Sequence, residues 1–415
     1  MKKLLYMLVS KELYFALFLF AGAFKQVHTK FTFLDLSILG LLLSVALVII
    51  DFIKSPKINK IVIQPLAIYL LLTVLIVFSV FYSSSNVYAM DKTLRFITFT
   101  AWAFIGPFFI VKTKEELNRF ILYSIFISSI MSYFAIKDLK SLLGNEYIGF
   151  VSLNGGSYLS LGRVCGMAIL LLILFYIVEE KSLIIKVIAF IGILFNLVAL
   201  LASGSRMPLV ALICMIIYIT ISSIRIKRKI YIRKGFKLFF SVIVVSILVL
   251  SVLAKNGMFD TIIYRFEVLL HESGGGVSAQ GRTERYKVAI DLFEENPIMG
   301  NGIGGFGYTY NGSDTRGYPH NIFLELMAEL GVLGGLVFLL LLIKCIKPYF
   351  LAGSKRNHTQ YALFIIFLFY FLNANVSGDL NDNRVMFCFL SLLAISNYAF
   401  EDNKNKLKDL ECITS

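Results

Sequence analysis

The chain has 415 residues, 58% of them hydrophobic and only 16% charged, with a mean hydropathy of +0.79. A water-soluble domain of this size needs far more polar surface, whereas repeated apolar runs of about 18 or more residues mark membrane-spanning helices. The net charge of +14 does not point to nucleic acid, because the Lys and Arg residues sit in short loops between apolar runs, the pattern that orients a membrane protein.

The first segment, MKKLLYMLVSKELYFALFLFAGAF, has the outline of a signal peptide, and Ala21-Gly22-Ala23 resembles a cleavage site. Lys11 and Glu12 interrupt its apolar core and further spans follow, so it reads as an uncleaved first helix. Hydropathy predicts an all-α polytopic membrane protein of about twelve transmembrane helices. They cover residues 4–24, 32–53, 62–82, 96–111, 117–136, 158–178, 183–202, 206–224, 238–254, 322–343, 361–378 and 383–400. No short alternating segments of β-barrel type are evident. Residues 1–254 thus hold helices one to nine. Residues 255–321 form a large extracytoplasmic loop, 322–400 carry the last three helices, and 401–415 form a cytoplasmic tail.

Basic residues alternate across these spans. One side collects Lys2, Lys3 and Lys11, then Lys54, Lys57 and Lys60, and so on to Lys404, Lys406 and Lys408, while the short loops of the other side are nearly bare. Both termini are therefore expected in the cytoplasm. RIKRKIYIRKGFK (225–237), with seven basic residues, is the strongest anchor, and a loop beside anionic lipid explains it better than nucleic-acid binding. The five cysteines are scattered without a CxxC pair, which indicates neither a metal site nor a disulfide framework.

A loop as long as 255–321 is usually functional or disordered. RTERYKVAIDLFEEN (282–296) reads as a short amphipathic helix with Tyr286, Ala289, Ile290 and Phe293 on one face, lying along the lipid interface and stopping at Asn296-Pro297. A Gly/Tyr/Asn-rich turn region follows and ends at His320.

Residues able to do chemistry are sought in or near this loop. His320 is the first candidate, since imidazole suits proton transfer near neutral pH. It precedes an apolar run together with Asn321, and Glu325 and Glu329 follow. Capping by His320-Asn321 explains the same residues equally well, Asn being a good N-cap and Glu suiting a first turn. Arg206, in SGSRMPLV, breaks the rule that the outer side avoids basic residues, although taken alone an arginine snorkelling at a helix end is the commoner case. Arg282 and Arg285, at i and i+3, share a helix face, and arginine's planar fork suits phosphate oxygens. For Arg285 a solvated helix face explains as much. Arg163 near the outer end of a span and Arg384 in DLNDNR, beside Asp379 and Asp382, are weaker candidates. GNGIGGFG (300–307) lacks the Lys-Ser/Thr of a P-loop, and its glycines suit close passage of backbone instead.

Together, GRTERYKVAIDLFEENPIMGNGIGGF (281–306) and YPHNIFLELMAELGVLGG (318–335) resemble the O-antigen polymerase and O-antigen ligase superfamily of integral membrane glycosyltransferases. The matching features are Arg282 followed by Tyr286, the Pro297 to Gly300 turn, and His320-Asn321 opening a helix that carries Glu325 and Gly331. Ser205-Arg206 after an apolar span matches a further element. The resemblance covers roughly half the chain, and the first 200 residues match in hydropathy alone. The spacer between Phe306 and His320 departs from the pattern, being short and rich in Tyr and Gly.

The resemblance implies transfer of a glycan from a polyprenyl diphosphate to a sugar hydroxyl, with no cofactor, nucleotide or metal. It implies His320 as the catalytic group and Arg206 and Arg282 as diphosphate ligands, supported by Arg285, Tyr286, Asn321, Glu325, Arg163 and Arg384. The implied partners are a polyprenyl-diphosphate-linked oligosaccharide and membrane lipid, with flippase and chain-length regulator proteins alongside. The implied setting is the bacterial cytoplasmic membrane. The loop shows no paired carboxylates of glycosidase type, which argues against hydrolysis. A polymerase of surface polysaccharide (O-antigen or capsule type) is preferred over a ligase acting on lipid A core. A lipid-linked oligosaccharide flippase is the rival of another class, and it is expected to carry functional charges inside its spans.

Overall fold

The computed structural model describes residues 10–23, 35–56, 59–142, 151, 156–179, 182–226, 230–232, 277–353 and 356–399, with scattered positions between 243 and 267. Among the described residues the regular structure is helical apart from one two-stranded hairpin. In chain order the helices are α1 (Lys11–Phe20), α2 (Leu36–Lys54), α3 (Ile63–Ser79), α4 (Val87–Arg95), α5 (Ala101–Ile110), α6 (Lys114–Leu142), α7 (Tyr158–Leu171), α8 (Leu183–Ala202) and α9 (Arg206–Ser223). After the hairpin come α10 (Val277–Glu295), α11 (Gly305–Asn311), α12 (Ile322–Leu351), α13 (His358–Ala374) and α14 (Arg384–Ala399). Among the described residues eight helices are long and apolar enough to cross a membrane, and the apolar α13 and α14 are shorter. Most of the expected span 238–254 and of the segment 255–276, and the whole tail 401–415, lie outside the described residues.

The chain divides into two compact units. The first draws on Met1–Glu12, Leu41–Phe120 and Gly281–Ser415, the second on Leu13–Gly40 and Ile121–Gln280.

In the first unit α12 packs against α3 and α14, and α14 also packs against α5 and α13. Tyr69 anchors the centre, stacked on Phe104 at 4.6 Å and on Phe96 at 5.4 Å, with Phe387 edge-on at 6.2 Å. Such ring pairs add about 0.5–1.5 kcal/mol each beyond their buried area.

Several expectations are refined here. The span expected from residue 96 starts earlier: Val87–Ile110 is one membrane-length segment in which α4 passes through a π-helical turn, Phe96–Thr100, into α5. Asp91, Lys92 and Arg95 lower the hydropathy of residues 87–95. The run beginning at Ile322 is broken at Gly331 (φ 63°, ψ −161°) and its helix ends at Leu351 instead of residue 343. The loop helix α10 buries part of the face read in the sequence: Ala289 is buried and Tyr286 and Phe293 are half-buried, while Leu292 joins them and Ile290 does not. Ala289 and Leu292 pack with Phe306 and Ala328, whereas Ile290 is 44% exposed. The buried face is turned toward protein, and Ile290 is left on the outside.

The break at Gly331 has a partner. The turn Pro297–Gly300 lies against it, and its carbonyls accept the backbone N–H groups that the break releases: Val332 donates to Pro297 O at 2.8 Å and Leu333 to Ile298 O at 3.4 Å. Asn301 N–H in turn donates to Ala328 O at 2.9 Å. A Cβ on Gly331 would stand 2.3 Å from Ile298 O, and one on Gly300 would stand 2.4 Å from the Glu329 carbonyl carbon. Two backbones cross where side chains cannot fit, and non-helical backbone at membrane depth is tolerated only with such partners.

In the second unit α7 packs against α8 and α9. Of the Tyr158–Val178 window 83% is buried, against 28% for Leu183–Ala202, which makes α7 the interior helix. The buried Asn196 amide is satisfied, accepting from Ser128 at 2.7 Å and Ser132 at 3.0 Å while donating to Gly192 O. Gly162 allows Ser205 to approach so closely that a Cβ there would lie 2.0 Å from the Ser205 hydroxyl. The basic segment expected as a simple loop begins as an antiparallel hairpin, Ile224–Ile226 with Ile230–Ile232. Its alternating β-branched residues favour a strand.

Candidate active site

The site is built at the start of α12. Asn321 is the N-cap, its backbone extended and its side-chain oxygen accepting from the N–H groups of Phe323 (3.0 Å) and Leu324 (3.1 Å). Its amide nitrogen donates to Asn375 O at 3.1 Å, tying the helix start to the end of α13. Asn321 thus does the capping, and the His320 imidazole is not needed for it. His320 has φ 65°, the left-handed region that non-glycine residues seldom occupy. Strain of this kind collects at functional sites.

A chain of contacts leads outward from His320. The Tyr318 ring meets the imidazole edge-on at 4.6 Å, and the Arg316 guanidinium lies over Tyr318 at 5.1 Å. Arg316 donates through Nε to Asp379 at 3.1 Å and through Nη2 to Asp382 at 2.8 Å. The backbone N–H of Leu380, beside Asp379, donates to Glu325 on the first turn of α12 at 3.1 Å. Glu325 N–H donates to Asn321 O, which returns this chain of contacts to the residue after His320. Burial opposes the Arg316 charge, but Asp379 and Asp382 outweigh it and hold the guanidinium protonated above its usual range. Burial, with help from Asp382, pushes the Tyr318 phenol up to about 12, so it stays neutral and able to donate.

Next to these contacts lies a buried charge cluster. Lys92 of α4 sits 2.6 Å from Glu325 and 2.6 Å from Glu329, and all three side chains are about 1% exposed. The two glutamates are i and i+4 on one face of α12. Glu325 Oε2 and Glu329 Oε1 have no hydrogen-bond partner among the described residues. Ionisable groups inside spans are the feature expected of a transporter. Here they are tied to one another, and they hold α4 to the helix that follows His320.

Helix α4 is gripped at its other end by Asp314. This loop carboxylate accepts from the Ser85 hydroxyl at 2.7 Å and from the N–H groups of Asn86, Val87 and Tyr88. These donors pull its pKa down to about 2, the Ser85 hydroxyl contributing most. The glycine-rich stretch expected to pass close to other backbone does so: Ser83 donates to Ile303 O, Ile303 N–H to Ser79, and a Cβ on Gly302 would stand 2.4 Å from Ser83 Cα.

Among the other predicted residues, Arg282, Arg285 and Tyr286 ride on α10, which docks on α12 through Ala328. Arg285 lies over the Tyr310 ring at 4.6 Å and donates to Gly281 O, which occupies it structurally. Burial raises the Tyr286 pKa, opposed by Arg282. Arg384 begins α14, one residue beyond DLND. Arg163 and Arg206 belong to the second unit. Arg163 is buried in α7 and Arg206 begins α9, and each adjoins the close contact of Gly162 with Ser205. The sequence reading missed Lys92 and Arg316. Two glutamates on one face of an apolar run demand a cation, which was the available signal for Lys92. For Arg316 it was the acidic DLND turn.

A family model described as O-antigen ligase (Wzy_C) matches residues 191–339. That stretch contains Arg206, Arg282, the Pro297–Gly300 turn, His320 and Gly331. The match supports the O-antigen polymerase and ligase superfamily for this multi-pass membrane chain. No curated protein matches it.

Proposed function

We propose that this protein is a metal-independent polymerase of surface polysaccharide in the bacterial cytoplasmic membrane. It moves a glycan from polyprenyl diphosphate to a sugar hydroxyl of another repeat unit. The observation that carries the reading is His320, held in left-handed backbone at the mouth of α12, with Asn321 capping the helix in its place. The acceptor oxygen forms the new bond to the anomeric carbon as the bond to the diphosphate breaks. His320 takes the hydroxyl proton, and Arg206 and Arg282 meet the charge that develops on the leaving diphosphate. The apolar spans hold the polyprenyl tail, and flippase and chain-length regulator proteins act beside it.

Transfer of a finished chain to lipid A core is the second reading, favoured by the description of the matching family. A gel of surface glycan separates the two. Cells lacking their own copy are complemented with wild type or with His320→Ala. Single repeat units on the acceptor, lengthened by wild type alone, are the polymerase outcome. Long chains stranded on the lipid carrier are the ligase outcome. An unchanged ladder with His320→Ala removes the histidine from the mechanism.

A further inference from the structure

Arg316 stands close to His320, yet it is a poor ligand for a diphosphate. Its charge is already met by Asp379 at 2.9 Å and Asp382 at 2.8 Å. Any phosphoryl group approaching Arg316 also meets these two carboxylates, which repel it. The patch is nevertheless open: the Arg316 side chain is 47% exposed and that of Asp382 41%. Arginine has five N–H donors, and Arg316 uses Nε and Nη2 for the aspartates, so its Nη1 donors make no hydrogen bond among the described residues. The neighbouring Tyr318 ring bridges this patch to the imidazole. Spare donors, a carboxylate acceptor and an aromatic ring suit a ligand with many hydroxyls and no negative charge.

We propose that Arg316, Asp382 and Tyr318 form the acceptor subsite, which holds an uncharged sugar beside His320 and keeps the diphosphate away from it. The subsite rests on the glycan-transfer reading above and assigns its two sides, neutral acceptor here and anionic donor elsewhere. Arg316 and Asp382 hold hydroxyls next to the attacking one. That hydroxyl gives its proton to His320 while its oxygen bonds the anomeric carbon, and the electron pair of the broken bond leaves with the diphosphate.

The test uses the purified full-length protein in lipid nanodiscs. Lipid-linked repeat units from a strain lacking the protein serve as donor, and the same oligosaccharide released from its carrier is the varied acceptor. Asp382→Asn and Arg316→Gln are expected to raise the half-saturating acceptor concentration about tenfold or more, as loss of a hydrogen bond to a charged group does. Donor half-saturation shifts by less than about twofold, because the donor charge is bound elsewhere. Arg316→Lys, which keeps the charge and loses the fork, behaves like Arg316→Gln. An acceptor whose terminal sugar carries a carboxylate binds wild type worse than the neutral one and gains from Asp382→Asn. A rise in donor half-saturation with the acceptor value unmoved overturns the subsite and leaves the transfer reading standing. A wild-type protein that neither transfers nor cleaves the donor overturns both. Asp382 is exposed, so Asp382→Asn remains a fair test if the Arg316 variants fold poorly.

Discussion

Lys92 carries a large energetic consequence for the structure near the site. It is buried between two carboxylates, and removing one partner of a buried ion pair costs about 3–5 kcal/mol because the other charge is stranded. Lys92→Met is expected to lower the thermal unfolding midpoint in detergent strongly. Glu329→Gln is expected to cost less, because the remaining Lys92–Glu325 pair is neutral. Equal losses from the two variants would contradict this account. Asp314 sets a pH dependence. Its folded pKa of about 2 lies below the ordinary 3.8, so its grip on α4 contributes fully above pH 4 and is lost as pH falls toward 2. Asp314→Asn is expected to remove that part of the acid sensitivity, read as a flatter stability curve below pH 4. At this scale His320 was legible in the sequence, because a histidine at a helix start is a local pattern. Lys92 was not, because the cost of a charge in a span depends on partners 237 positions away.

Among the elements, α12 and the turn before it form one unit of design. Gly331 has φ 63° and ψ −161°, a region open essentially to glycine alone. Gly331→Ala combines that strain with a Cβ 2.3 Å from Ile298 O and is expected to cost about 2 kcal/mol or more. A lower monodisperse yield on size-exclusion chromatography and a lower unfolding midpoint would report it. A wild-type profile would mean that the break relaxes freely. The motif residues Pro297, Gly300 and Gly331 were visible one by one in the sequence. That they meet, each closing the backbone gap left by the other, was not visible, because the two segments match by shape and by unpaired backbone groups. Helix α10 shows a related limit. Its helical period was readable, but its apolar residues spread around the helix, and only docking on Phe306 and Ala328 selects the buried face.

For the whole molecule, the bias of Lys and Arg predicts that the loop around Ser313 faces the outside and that the end of α2 at Lys54 faces the cytoplasm. Both positions are exposed. With Cys214 and Cys412 replaced by serine, Ser313→Cys is expected to react with an impermeant maleimide in intact cells, and Lys54→Cys only after the membrane is opened. The reverse pattern would invert the orientation and put the His320 loop in the cytoplasm. Membrane class and the positions of most spans follow from the sequence by itself, because hydropathy is a sum over contiguous residues and the lipid responds to that sum. The cap at Asn321 follows for the same reason, since a helix end is satisfied within one turn. Only the tertiary structure brought Lys92 into a span, broke α12 at Gly331 and set Arg316 between Asp379 and Asp382. Each of these pairs a costly local feature with a distant group that offsets it, and a linear reading sees the cost without the partner.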